Sequence, residues 1–303
     1  MTTITETEAV VVPPLHKRGR RGERPRPLGK RQFYRHLMLI AMASVMFYPL
    51  LWMLGASFRD DSQINDPGIW PGQYFTLEGY EQGFAGVAGT PFWRFIFNSL
   101  LVSGLCVLAN LIACSLTAYA FARIDFKFKK VWFAVMLATL MLPHHVILIP
   151  QYILFREFDW INTYLPFVVP KILATDAFFI FLLVQFFRAI PRELDEAARI
   201  DGCGHFGIFF RVILPLSKPA LATTAIFTFI YSWNDFFTPL IYLTDTELYT
   251  VPLALRSFID ATSYSAFGAL FAMSIVSLLP VLGIFIAFQR LLVEGIATSG
   301  LKG

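Results

Sequence analysis

The sequence predicts an all-α membrane protein of about six transmembrane helices with both termini cytoplasmic, and three observations carry that prediction. The 303 residues are 56% hydrophobic and 15% charged, with a mean hydropathy of +0.59, whereas soluble domains carry roughly 25% charged residues. Uncharged apolar runs long enough to cross a bilayer, about 20 residues each, recur along the chain. The Lys and Arg residues gather beside alternate connections between those runs. The net charge of +4 and pI near 9.0 therefore read as a membrane pattern, and no nucleic-acid partner is expected.

Residues 1–35 mix Thr, Glu, Pro, Gly and Arg without an apolar period and predict a disordered, basic cytoplasmic tail ahead of a transmembrane domain over 36–303. The first span covers 37–58. A signal peptide competes, but the run is too long for an h-region and no small-residue cleavage site follows, so it is expected to stay as an anchor. The polar loop 59–93, with Pro67, Gly68, Pro71, Gly72 and Gly79 among aromatics, is the expected extracytoplasmic surface. Runs 95–122, 131–155 and 261–289 hold no Asp, Glu, Lys or Arg; run 219–243 holds one carboxylate, Asp235. In the fourth run, 166–187, Lys171 and Asp176 interrupt the outer half, and a re-entrant or tilted segment is the competing reading.

Twenty of the 25 basic residues fall in the N-terminal tail, the second-to-third connection, the approach to and length of 188–218, and the C-terminal tail. Arg59, Arg94, Arg156, Lys171 and Arg256 make up the other side. The positive-inside rule then places both termini and 188–218 in the cytoplasm. Cys106 and Cys114 lie in one apolar run and Cys203 in the charged segment, so no disulfide framework is expected.

That charged segment, RELDEAARIDGCGHFGIFFRVILPLSKPAL over 192–221, is the informative stretch. Pro191 and Glu193 suit a helix start and Arg199 a helix end. Leu194, Ala197 and Ala198 give a narrow apolar face, and Gly202 is a natural stop. A second helix follows with Phe206, Phe209, Phe210 and Ile213 on one face, ending before Pro215, and Ser217 with Pro219 opens the fifth span. Small alanines among Glu193, Asp195, Glu196, Arg199 and Asp201 describe a docking element. Gly202, Gly204 and Gly207 spell G-x-G-x-x-G, but no strand precedes them, so a dinucleotide site is not expected. An interfacial helix lying on lipid would carry a larger apolar face flanked by lysine.

Glu196, Ala197, Ala198, Gly202, Val212, Leu214 and Pro215 match the pattern E-A-A-x3-G-x9-I-x-L-P, with Val212 where isoleucine is usual. On this motif the chain resembles the inner-membrane permeases of binding-protein-dependent ABC importers, with the type I importer permease fold. The carbohydrate, maltose-type subfamily is indicated by Phe97 to Leu100, by Ala118 to Arg123, by Ile149, Pro150, Tyr152, Asn162 and Thr163, and by Gln185 to Pro191. It is also indicated by Trp233, Asn234 and Asp235 and by the tail Gly300 to Gly303. Val184 departs from the arginine the family places there.

The resemblance implies a machine in a prokaryotic cell membrane. Its parts are this chain, a second permease forming a heterodimer, two copies of a cytoplasmic ABC ATPase and an extracytoplasmic sugar-binding protein. It implies that the loop 188–218 carries the coupling helix, with Glu196 reaching the ATPase and Gly202 ending the helix. ATP and Mg would sit on the ATPase; this chain has no G-x-x-x-x-G-K-[ST], and neither a catalytic residue nor a bound cofactor is expected in it. Asp235 is costly inside a membrane and normally faces a cavity or a partner. Trp233, Asn234 and Asp235 are therefore candidates for a sugar path, with a polar interhelix clamp as the equal alternative. His144 and His145 point about 100° apart on a helix without an acidic or cysteine neighbour, which disfavours a metal site. Two other classes stand against the importer: a secondary transporter driven by an ion gradient, which needs acidic groups at the membrane midplane, and a membrane scaffold that only recruits a partner.

Overall fold

The computed structural model describes residues 30–64, 68–72, 75–259 and 266–300, without the side chains of 30, 31, 144, 145 and 290–300. The tail 1–29, the side chains of His144 and His145, and residues 301–303 of the C-terminal tail lie outside the described residues. The elements run α1 (Lys30–Ala56), α2 (Glu78–Ala85), α3 (Phe92–Arg123), α4 (Lys129–Thr139), α5 (His144–Glu157), α6 (Leu165–Ile172) and α7 (Ala177–Ala189). They continue with α8 (Glu193–Ile200), α9 (His205–Ile208), α10 (Leu214–Leu216), α11 (Lys218–Trp233), α12 (Phe237–Tyr242), α13 (Val251–Ser257) and α14 (Phe267–Gly300). No strand occurs among the described residues, and one isolated bridge joins Val87 to Thr90. Residues 1–49 and 50–303 are separate compact units. In the first, α1 begins inside the segment read as tail, and Leu37, Met38, Val45 and Met46 stand fully outward, which suits lipid and not water.

Among the described residues four helical stretches are long and apolar enough to cross a membrane: Gln32–Ala56, Phe92–Arg123, Leu165–Ala189, which joins α6 and α7, and Phe267–Gln289. A fifth is obtained if His205–Leu216 and Lys218–Trp233, bent by 78°, count as one. The expected run 131–155 is not one helix. It breaks at 140–143 into α4 and α5, where Pro143 takes an extended backbone that cannot continue a helix from Leu142. The run 219–243 also breaks, at 234–236, leaving the 16 residues of α11 and the 6 of α12. In the fourth run, Lys171 Nζ bonds both carboxylate oxygens of Asp176 at 3.0 and 2.7 Å, so the two charges that interrupt it neutralise each other.

The core of the second unit is strung along α3. Its outer end packs with α11, α13 and α14 around Phe92, Phe95, Phe229 and Met273. The middle meets α6 and α12 around Phe167 and Tyr242, and the far end meets α7 and the 198–213 segment around Leu183, Phe187 and Ile213. The side chains that α3 buries include Asn98, Ser99, Ser103, Asn110, Cys114 and Ser115, while Leu101, Leu105, Leu108 and Ile112 face outward. Helices in lipid gain nothing by hiding leucine from leucine-like tails, so contact is made through small and polar residues. Asn110 Nδ2 donates to Thr228 Oγ1 of α11 at 2.8 Å, and Cys114 Sγ to Asn110 Oδ1 at 2.9 Å.

Two motif asparagines fasten the end of the bundle opposite α8. Asn98 Nδ2 donates to the carbonyls of Glu247 and Tyr249 at 2.8 and 3.0 Å, and the Val251 N–H reaches Ser99 Oγ at 2.8 Å. Asn162 sits at φ 61°, a left-handed setting that asparagine tolerates, and its Oδ1 accepts the N–H groups of Thr244 and Asp245. In loop 59–93, α2 rests on α14 through glycine: a Cβ on Gly79 would lie 2.7 Å from the Gly268 carbonyl carbon. Gly79→Val should therefore destabilise the protein by about 1–3 kcal/mol through overpacking. Thermal unfolding in mild detergent should show it, while Gly104→Ala, where nothing lies within 4 Å, leaves the midpoint unchanged or higher.

Candidate functional site

The segment 190–217 is fixed to the end of α3 by its own side chains. Arg123, the last residue of α3, donates from Nη2 to the Ile190 carbonyl at 2.7 Å, and its Nε lies 3.4 Å from Asp195 Oδ2. Tyr119 OH donates to the His205 carbonyl at 3.1 Å, and its ring packs on Phe209 with centroids 5.2 Å apart. Both members of the ion pair are buried, Arg123 at 6% and Asp195 at 7% exposure. A charge so placed needs its partner, because each ion has left water.

This contact orients α8. Asp195 and Ala198, one turn apart, face the bundle, while Glu193, Leu194, Glu196, Ala197, Arg199 and Ile200 face out. The expected apolar face is thereby divided: Ala198 is core at 9% exposure, whereas Leu194 and Ala197 belong to the free face, joined by Ile200 at 87%. Asp195, expected among the docking charges, is spent within the chain. The reason is the carboxylate's pairing with Arg123, which outweighs burial of the leucine.

Gly202 ends α8 at φ +83°, with its N–H on the Arg199 carbonyl and that of Cys203 on the Ala198 carbonyl. Nothing crowds Gly202, so the requirement for glycine there is the backbone angle. The second helix does not stop before Pro215. It runs from α9 through a π-helical turn, Phe209–Ile213, into α10, and Leu214 and Pro215 lie inside that last turn. Its phenylalanines do not share one face: Phe209 and Ile213 are buried with Ile208, whereas Phe206, 74% exposed, and Phe210 face outward. The outward face of 193–210 thus joins Glu196 and Ala197 to Leu194, Ile200, Phe206 and Phe210, an acidic and apolar surface.

The W-N-D triplet is dispersed. Trp233 is buried and stacked on Phe229 at 5.5 Å in the core. Asn234 is exposed and returns its Nδ2 to the Ile230 carbonyl at 2.8 Å. Of the three, Asp235 alone lines a cavity of about 1000 Å³, walled by α3 to α7, α11 and α12, at the top of the size range of small-molecule sites. Its Oδ1 accepts the Thr238 N–H at 3.1 Å, where the chain restarts as α12. Lys171, Asp176, Gln151 and Tyr231 line the same space. Sequence reading missed Gln151, Tyr231 and the Lys171 pair as cavity groups, because the break at 140–143 that opens the space carries no polar residue. Among the described residues no group of three or more His, Cys, Asp or Glu could hold a metal.

Arg123→Ala or Asp195→Ala should each cost about 3–5 kcal/mol locally by stranding the other charge. Limited proteolysis of 190–217 is expected to quicken in either variant, and Arg123→Met with Asp195→Leu to recover most of the protection.

Residues 110–297 match the family described as binding-protein-dependent transport system inner membrane component. The arabinooligosaccharides transport system permease protein AraQ of Halalkalibacterium halodurans is 35% identical over 274 residues, covering 88% of this chain and 96% of that relative. The trehalose/maltose transport system permease protein MalG of Thermococcus litoralis is 31% identical over 269 residues, covering 87% and 94%. The fold is that of a bacterial ABC transporter involved in the import of the acidic polysaccharide alginate, with a TM-score of 0.75 at 21% identity over 85% of this chain and 95% of that one. With the family spanning both α8 and the cavity-lining helices, the chain belongs to the binding-protein-dependent transport system inner membrane components, as an integral membrane permease of the sugar ABC transporter kind.

Proposed function

We propose that this chain is one of two permease subunits of an ATP-driven importer in a prokaryotic cell membrane, moving a carbohydrate into the cytoplasm. One observation carries the coupling: the free face of α8 presents Glu196, Ala197 and Ile200 on a helix whose opposite face is clamped to α3 by Arg123 and Asp195. A helix held this way moves with the bundle and not apart from it. A cytoplasmic ABC ATPase seated on that face, closing on ATP and Mg, would shift α8 and bias the spans between inward-open and outward-open packings. Glu196 is the charge offered to the ATPase, Ala197 on the free face permits close approach while Ala198 packs α8 onto the bundle, Gly202 turns the chain back, and Leu214 with Pro215 leads into the fifth span.

The remaining parts are a second permease, a second ATPase and an extracytoplasmic sugar-binding protein docking on the 59–93 side. Asp235 in the cavity is the one feature a gradient-driven carrier would share. Uptake by the complete complex in proteoliposomes separates the readings. Glu196→Lys or Gly202→Asp should lower ATP-dependent uptake at least about fivefold, the lower end of typical coupling energies, with membrane insertion unchanged. Uptake that persists without ATPase, driven by an ion gradient, would replace the importer with the carrier.

A further inference from the structure

Resting on that reading, we infer that the cavity wall this chain supplies selects neutral saccharides against anionic ones, so that sugar phosphates and uronate-containing oligosaccharides are not its substrates. The charged residues lining the cavity are Lys171, Asp176 and Asp235. Two of them cancel, since Lys171 Nζ is held between both oxygens of Asp176 at 3.0 and 2.7 Å. Asp235 has no cation within ion-pair distance among the described residues; its one bond is from the Thr238 N–H. The wall therefore carries one uncompensated negative charge in a half-open cavity walled by largely apolar helices, where a charge is screened less than in bulk water.

An anionic sugar passing this wall gives up water beside a like charge and finds no unpaired cation among the described lining residues to replace that water. Lys171 keeps one N–H beyond the two it gives Asp176, but its charge is already matched by that carboxylate, so the pair offers an anion no net attraction. A neutral saccharide meets no such barrier. Gln151, Ser232 and Tyr231 offer amide and hydroxyl groups for its hydroxyls, Asp235 can accept from two of them, and the exposed Tyr231 ring offers an apolar face. The charge balance comes from Lys171 in the last turn of α6 pairing with Asp176 just before α7, a property of this chain's own sequence and not of the 188–218 loop.

The test reads the cavity's charge directly. In the assembled complex, with Cys106, Cys114 and Cys203 replaced by alanine and Ser232→Cys as reporter, a trimethylammonium and a sulfonate methanethiosulfonate are compared. The cationic reagent should react at least about tenfold faster than the anionic one, after correction for their rates on a free thiol. Asp235→Asn should abolish the preference and Lys171→Gln should increase it. A ratio equal to that of the free thiol, or one indifferent to both substitutions, would overturn the inference. Uptake is then read with arabino- and galacto-oligosaccharides against alginate oligosaccharides. Uptake confined to the neutral set supports the inference, and comparable uptake of alginate oligosaccharides overturns it. If nothing is taken up with ATP while the cation preference persists, the importer reading fails and the charge selection of the cavity stands.

Discussion

Everything in the second unit depends on the inversion of α3. In hydrocarbon there is no water to drive leucine from surface to interior, so a central helix must be recognised by what lipid cannot offer: hydrogen bonds and close backbone approach. The buried asparagines, serines and cysteines of α3 supply both, and its leucines are left for the acyl chains. Three clusters then form on one rod, and the positions of α7, α11 and α14 follow from which section of that rod each can satisfy.

The same economy organises the functional surfaces. A buried arginine at the end of α3 forces a carboxylate inward on α8, and an eight-residue helix with one face fixed has its other face decided as well. The cavity has a comparable origin. Helices that break at Pro143 and at 234–236 cannot pack along their whole length, and the space left between them is bounded by the few polar side chains that interrupt the apolar runs. The outward face of α8 and the cavity are thus built from different elements, and α3 holds α8 from its inward side through Arg123 and borders the cavity through Cys106.

Spans were legible in the runs 37–58, 95–122, 166–187 and 261–289, where length and hydropathy agree with the helices found, and the E-A-A loop because its spacing is tied to a helix, a left-handed glycine and a second helix in fixed order. The break in the third run was hidden in hydropathy, which is as high on either side of it; Pro143 was the available signal, since the residue before a proline avoids helix. The inward face of α8 was not legible. Eight residues give two turns, too few for periodicity to outvote one ion pair, and the partner of Asp195 lies in another helix. Trp233, Asn234 and Asp235 read as one feature because they are adjacent, yet the helix ends among them and each side chain takes a different exit. The roles of Asn98 and Asn162 as fasteners were visible only once the carbonyls and N–H groups they hold were in place.

The inverted helix also has a history during synthesis. Thr228, which Asn110 bonds, is made 118 residues after it, and the carbonyls that Asn98 holds come 149 and 151 residues after that asparagine. At ribosomal speeds of about 5–20 residues per second, α3 spends several seconds in the membrane with its polar stripe unanswered, carried there by its leucines alone. A chain cut short before α11 would leave Asn98 without the carbonyls it holds and Asn110 without Thr228. The newborn subunit therefore packs α6 and α7 on that rod first, and fastens Asn98 and Asn110 only when its last third arrives.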